Sequence, residues 1–236
     1  MCFGLAASWA MVGVGGVATA ITLRRGEAPA IPATLAFFTA MEALQGAGYL
    51  VIDQCGNPAN QAVTLASYLH IAFQPLFVNA FCMAIAPAPL SPRLRRAIWG
   101  LAGLATALLL ARLLPGFGTC RPGEVLCGPQ WCTVTGTWHL AWQMPLNGLW
   151  HPLGAALGWP LSFPAYMAAV FVVPLLYGAW RFVLLHAALG PILAARLTDM
   201  PNEMPAIWCL FSIGILAIGL SPAVRRAVAG PVRQAS

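Results

Sequence analysis

The stretch AVTLASYLHIAFQPLFVNAFCMAIA, residues 62–86, contains no Asp, Glu, Lys or Arg. A helix that crosses a bilayer needs about 20 consecutive, predominantly apolar residues, and this run meets that length. It reads as a transmembrane helix that carries Ser67, His70 and Gln74 as polar residues. Comparable runs occupy 3–23, 30–52, 98–114, 164–187 and 206–220. They are separated by polar or breaking segments such as Arg24-Arg25-Gly26-Glu27, Asp53-Gln54-Cys55-Gly56-Asn57-Pro58 and Ser91-Pro92-Arg93-Leu94-Arg95-Arg96. Composition points the same way. Of 236 residues, 60% are hydrophobic and 8% charged, where a soluble domain carries about 25% charged residues. Twelve basic and six acidic side chains cannot coat a water-soluble globule of this size, so lipid is the solvent.

The net charge of +6 comes from arginines at the borders of the apolar runs. The positive-inside rule accounts for that placement and leaves no nucleic-acid surface to explain. Residues 138–159 are the ambiguous segment, because Pro145, Asn147, His151 and Pro152 interrupt it. Ala18-Thr19-Ala20 resembles a signal-peptidase site, but no positive charge precedes the first run and two arginines follow it, which fits a retained span with its N-terminus outside. Counting 138–159 as a span makes seven and brings the basic tail Arg225-Arg226…Arg233 to the same side as Arg24-Arg25 and Arg93–Arg96. The alternative is six spans with a re-entrant 138–159. The expected fold is an all-α, seven-helix bundle in one integral domain, 1–236. It lies in the cell's inner membrane with its N-terminus outside and its C-terminus cytoplasmic.

On this topology Cys55, Cys120, Cys127 and Cys132 lie in outward loops, where an oxidising compartment favours two disulfides in one of three connectivities. The metal alternative, Cys120-x6-Cys127-x4-Cys132, matches no usual zinc spacing. Cys2 would become N-terminal if Met1 were removed, making it either a free thiol for nucleophilic, metal or lipid chemistry or a packing residue. Cys82 and Cys209 read as packing residues.

Ionisable residues inside a membrane are costly and mark functional sites by default. Glu42, Gln45 and Tyr49 share one helix face; Ser67, His70 and Gln74 share another. His139, Gln143 and Asn147 recur at steps of four beside Trp138 and Trp142, and Tyr166, Tyr177 and Arg181 form a fourth stripe with His186 beyond it. From the helical rise, Glu42 lies roughly 15 Å, His70 roughly 12 Å and Arg181 roughly 9 Å from the outer ends of their spans. The expectation is one water-accessible cavity in the outer half. Asp53-Gln54 and Thr198–Glu203 hang over it, and His151 falls on the inner side as an interfacial turn.

Met1-Cys2-Phe3, Ile52–Gln61, Leu69–Pro75, Leu176–Phe182 and Pro201-Asn202-Glu203 resemble an uncharacterised bacterial family of small multi-spanning proteins, which implies no particular activity. In architecture and residue types the chain is also similar to the alkaline-ceramidase-like seven-span hydrolases, which hold zinc with three histidines and use an Asp and a Ser nearby. It departs from them in lacking a His-x-x-x-His pair and in the side its polar cluster faces.

These residues lead to a metal-dependent membrane hydrolase acting on a lipid or amphipathic substrate. Zinc would be held by His70, His139 and His186, with Glu42 or Glu203 as general base and Arg181 holding an anionic headgroup. The alternatives are a redox protein with haem b between two histidines, a transporter with Glu42 and Arg181 as an ion-coupled pair, and a non-catalytic subunit of a membrane complex. Membrane lipids are the expected partners; nucleic acid is not.

Overall fold

The computed structural model describes residues 4–86, 88–158, 161–210 and 213–229. Cys2 and Arg233 lie outside them, as does Trp159. Four helices, α1 (Leu5–Arg24), α2 (Ala30–Leu50), α3 (Pro58–Ile85) and α4 (Pro92–Ala111), pack in sequence order, each against the next. Their starts follow from local chemistry. Asn57 caps α3 by accepting from the Ala59 N–H at 2.9 Å, and Ser91 caps α4 by accepting from the Leu94 N–H at 3.2 Å. Pro58 and Pro92 follow at the first helical position, where no amide hydrogen is needed.

The chain then leaves the helical pattern. The segment expected as a span over 138–159 does not form one helix in its described residues, 138–158: β1 (Cys132–Thr135) and β2 (Leu140–Gln143) form an antiparallel hairpin, with Cys132 opposite Gln143 and Thr135 opposite Leu140. Pro145 and Pro152 lack amide hydrogens, so a continuous helix through 138–159 would break. Threonines and valine on β1 suit a pleated edge instead. Only a short helix, α5 (His151–Leu157), remains of the expected span, and it stops at Gly158 with φ 66°.

A second departure concerns 164–187. Gly178, at φ 83°, ends α6 (Pro164–Tyr177) after 14 residues, and α7 (Trp180–Leu197) starts anew and runs through what looked like loop. Both helices are irregular. The stretches Ala168–Val172 and Ala188–Ile192 are π-helical, and Gly190 leaves the helical region at φ −96°, ψ −107°, next to Pro191. The chain closes with α8 (Met204–Leu210), α9 (Ile213–Leu220) and α10 (Pro222–Ala229).

Among the described residues four helices, α1, α3, α4 and α7, are long and apolar enough to cross a membrane, and the bent run from Met204 to Ala229 makes up to five. α2 is as long as α1 and packs between α1 and α3; it carries Glu42 and Gln45 and is not one of these four. The surface supports a lipid environment. On α1 the polar Ser8 and Thr22 are fully buried, while Val17 is 60% and Leu23 63% exposed, the reverse of a water-soluble helix.

The bundle has two chemically distinct ends. At one, the hairpin sits on the α2–α3 turn. Asp53, at φ 63°, donates its N–H to the Thr133 carbonyl and accepts from the Thr135 amide and hydroxyl, and Asn60 bonds both backbone groups of Thr133. Two disulfides, Cys55–Cys132 and Cys120–Cys127, lie here. They resolve the three connectivities left open by spacing and leave Cys82 and Cys209 as buried free thiols. At the other end Arg25 donates to the Leu220 carbonyl, and Arg225 makes a two-pronged ion pair with Glu27 at 2.6 and 2.9 Å. That pair holds the Glu27 carboxyl below its ordinary range, chiefly through the Arg225 hydrogen bond.

Candidate functional site

The buried polar residues form a column along the bundle axis rather than one open cavity. Nearest the hairpin, the His139 ring lies between two residues of α2. Its Nε2 is 2.6 Å from Gln45 Oε1 and its Nδ1 2.6 Å from the Tyr49 hydroxyl. Gln45 is oriented by donating its amide to the Ala206 carbonyl at 3.2 Å, so Nε2 of His139 donates and Nδ1 faces the tyrosine.

Glu203, fully buried, belongs to the same end. One carboxylate oxygen accepts from the backbone N–H groups of Trp138 and His139, both at 2.6 Å, and the other from the Thr198 hydroxyl at 2.5 Å. The turn depends on Gly136, where an added Cβ would lie 2.7 Å from that carboxylate. Glu203 therefore ties the 198–203 segment to the hairpin turn, and both oxygens are engaged in doing so.

Deeper, the His70 ring stacks on Phe37 at 3.7 Å between centroids, and its Nε2 donates to the Phe37 carbonyl at 2.7 Å. Its Nδ1 faces the Gln74 amide, whose oxygen accepts from Tyr166 at 2.5 Å and whose nitrogen is 3.6 Å from Cys209 Sγ. Lower still, Asn79 donates to the Ala169 carbonyl and accepts from Tyr177. Between the upper and lower groups sits Glu42. It is 5% exposed and lies beside a cavity of ≈ 10 Å³ lined by Met11, Phe38, Thr39, Cys209, Leu210 and Leu216. Among the described residues neither carboxyl oxygen has a hydrogen-bond partner.

The structure does not bring the three candidate zinc ligands together. His70 is anchored to Phe37 and His139 to Gln45, eight residues apart on α2, which is about 12 Å of helical rise. His186 is elsewhere, on α7, among Phe171, Phe182 and Trp208. Among the described residues, no group of three His, Cys, Asp or Glu could hold a metal ion. Arg181 is also displaced from its expected place near the outer end. It starts α7 at the arginine end, donating to the Ala227 carbonyl at 3.1 Å and lying 5.2 Å from the Trp180 ring. It neither pairs with Glu42 nor joins Glu203. His151, expected on the inner side, is at the hairpin end, 2.7 Å from Glu124.

One buried charge escaped the sequence reading. Arg112, 2% exposed at the end of α4, donates to the carbonyls of Asn147 and Ser162, lies 4.7 Å over the Phe163 ring and is 3.9 Å from Glu124. Asn147 in turn donates to the Ala111 and Leu114 carbonyls, closing the last turn of α4. An arginine within the apolar run 98–114 was the available signal.

No curated protein and no solved structure matches the chain. Residues 6–229, nearly the whole chain, match a family profile, and the protein belongs to that family, the family of unknown function DUF5765.

Proposed function

We propose that this protein carries protons across the cell's inner membrane, with Glu42 as the group that binds and releases them. The observation that carries the reading is the Glu42 carboxyl, buried at the middle of α2 with no donor, counter-charge or metal-ligand companion. An ionised carboxylate in that position has nothing to compensate it, and protonation removes the cost. Titratable groups lie on both sides, His139 and Tyr49 toward the hairpin and Cys209, Tyr166 and then Tyr177 toward the other end, with the amides of Gln45, Gln74 and Asn79 hydrogen-bonded to them.

The proposed topology has seven passages: α1, α2, α3, α4, α6, α7 and the α8–α9 run. The number is that expected from the sequence, but the hairpin replaces the 138–159 passage and the split at Gly178 supplies the missing one. Arg24, Arg25, Arg93, Arg95, Arg96, Arg225 and Arg226 then face the cytoplasm. The disulfides face the oxidising side. The hydrolase and haem readings draw on His70 and His139, whose ring nitrogens are already engaged with α2, Gln74 and Tyr49; the transport reading needs neither histidine to be free.

Purified protein in liposomes loaded with a pH-sensitive dye, with a potassium diffusion potential imposed, tests the reading. Wild type is expected to acidify the lumen above empty liposomes, Glu42→Gln to reduce that rate at least about tenfold, which is 1.4 kcal/mol in a barrier, and Glu42→Asp to retain part of it. No flux from wild type, or equal flux from Glu42→Gln, overturns the proposal.

A further inference from the structure

His186 has a different environment from the other histidines. It is 8% exposed, and its Nε2 is buried with no hydrogen-bond partner among the described residues. The Phe182 ring stacks on it at 5.4 Å between centroids, and Phe171 and Trp208 flank it at 5.3 and 5.4 Å. The pocket it lines, ≈ 20 Å³, runs between α7 and the α8–α9 run, with Leu185, Leu189, Ile215 and Ile218 as its apolar walls.

The backbone is shaped to make this pocket. One π-helical stretch, Ala188–Ile192, supplies Leu189 and Gly190 to its lining, and the other, Ala168–Val172, carries the Phe171 ring that lies against His186. Such insertions are costly and concentrate at functional sites. At Gly190 an added Cβ would lie 2.3 Å from Trp208 Nε1, so only glycine lets that indole close the pocket's side. Leu185 and Leu189, which line the pocket, are half-buried, and Leu184 and Ile192 on the same helix are 60% and 57% exposed, so the pocket's mouth is assigned to this side of α7, facing hydrocarbon.

We propose that this groove binds the head of a membrane-soluble quinone, with one ring oxygen on His186 Nε2. The chemistry of the lining selects that class. One buried imidazole nitrogen amid aromatic rings suits a planar, uncharged molecule with an oxygen at its edge. Nε2 can donate to a quinone carbonyl in one tautomer and accept from a quinol hydroxyl in the other, so both forms bind without a charge in the membrane. The enclosed volume takes the oxygen-bearing edge, and the rest of the ring lies in the mouth with its tail among the lipid-facing leucines. The proposal does not depend on Glu42, which lines a separate cavity.

The test is titration of the purified full chain in detergent with decyl-ubiquinone, following quenching of tryptophan fluorescence. Free tryptophan in the same detergent gives the non-saturable background. Saturable quenching is expected for wild type, with affinity reduced about tenfold in His186→Leu, the loss of one buried hydrogen bond. Leu189→Phe, which fills the mouth and leaves His186 in place, is expected to weaken binding as well; it keeps the test open if His186→Leu does not fold. Quenching that never rises above background, or that saturates equally in wild type and Leu189→Phe, overturns the proposal.

Discussion

Replacing Glu42 by leucine is expected to make the protein more stable. The carboxyl is 5% exposed, neither oxygen has a partner, and four of the six residues around its cavity are Met11, Phe38, Leu210 and Leu216. Even in its neutral form, a buried polar group without hydrogen bonds costs about 1–3 kcal/mol. Leucine has a similar bulk, leaves no polar atom behind and fits the apolar lining, so most of that cost should be returned. A gain of about 2 kcal/mol in a chain of this size raises Tm by roughly 4–8 °C. The assay is thermal unfolding in one detergent, followed by tryptophan fluorescence, for wild type, Glu42→Gln and Glu42→Leu. Glutamine keeps an unsatisfied amide and should lie near wild type. A stability gain combined with loss of proton flux would mark Glu42 as a residue retained for function at the expense of stability. The reasoning fails if Glu42→Leu melts several degrees below wild type, since that would mean the carboxyl holds a partner that stabilises the fold.

Three further outcomes follow from the two ends of the bundle. Cys55 and Cys132 are 77 residues apart in sequence and Cys120 and Cys127 only 7. Chain entropy therefore assigns the first bridge about 4.5 kcal/mol and the second about 2.3 kcal/mol, and paired Cys→Ser variants should lose Tm in that order; the reverse order would refute the loop-closure account. Glu27 has its pKa lowered by Arg225, so its contribution is present above the unfolded carboxylate range and is lost as pH falls through the lower folded value. Glu27→Gln should accordingly cost about 1 kcal/mol at pH 7 and nothing in acid, whereas a pH-independent difference would contradict the pairing. Arg112→Met removes a buried guanidinium and leaves the Asn147 and Ser162 carbonyls without their donor. A loss of about 3–5 kcal/mol is expected, read as a lower unfolding temperature; an unchanged Tm would mean that the α4 terminus is held without it.

Much of the membrane architecture was legible in the chain, because a run such as 62–86 is read by composition alone. The hydrophobic segments at 3–23, 30–52 and 98–114 appear as helices with boundaries shifted by a few residues, and the two disulfides join the four cysteines assigned to polar loops. Two assignments failed for a common physical reason. Apolar composition says that a segment is buried, not how its backbone hydrogen bonds are satisfied. Residues 138–159 meet that need by strand pairing with 132–135 and by caps such as Asn147 on α4. The 164–187 run meets it by turning at Gly178 and beginning a second helix.

The candidate site shows the same division. Sequence alone selected Glu42, His70, His139, His186 and Arg181 in the apolar runs and Glu203 in a polar turn beside them, and five of these six, all but Arg181, are buried. It also showed that so few charges cannot cover a soluble surface, in keeping with helices long and apolar enough to cross a membrane. Only the tertiary structure decided which of these residues have partners. Side chains far apart in sequence meet across helices: Gln45 and Tyr49 on His139, the Phe37 carbonyl on His70, and the turn amides of 138–139 on Glu203. Those contacts complete three of the five and separate the histidines that spacing had grouped. Among the described residues the carboxyl of Glu42 and the Nε2 of His186 remain without a partner, because their neighbours across the bundle are mostly apolar and aromatic, a fact set by packing and invisible in the order of residues.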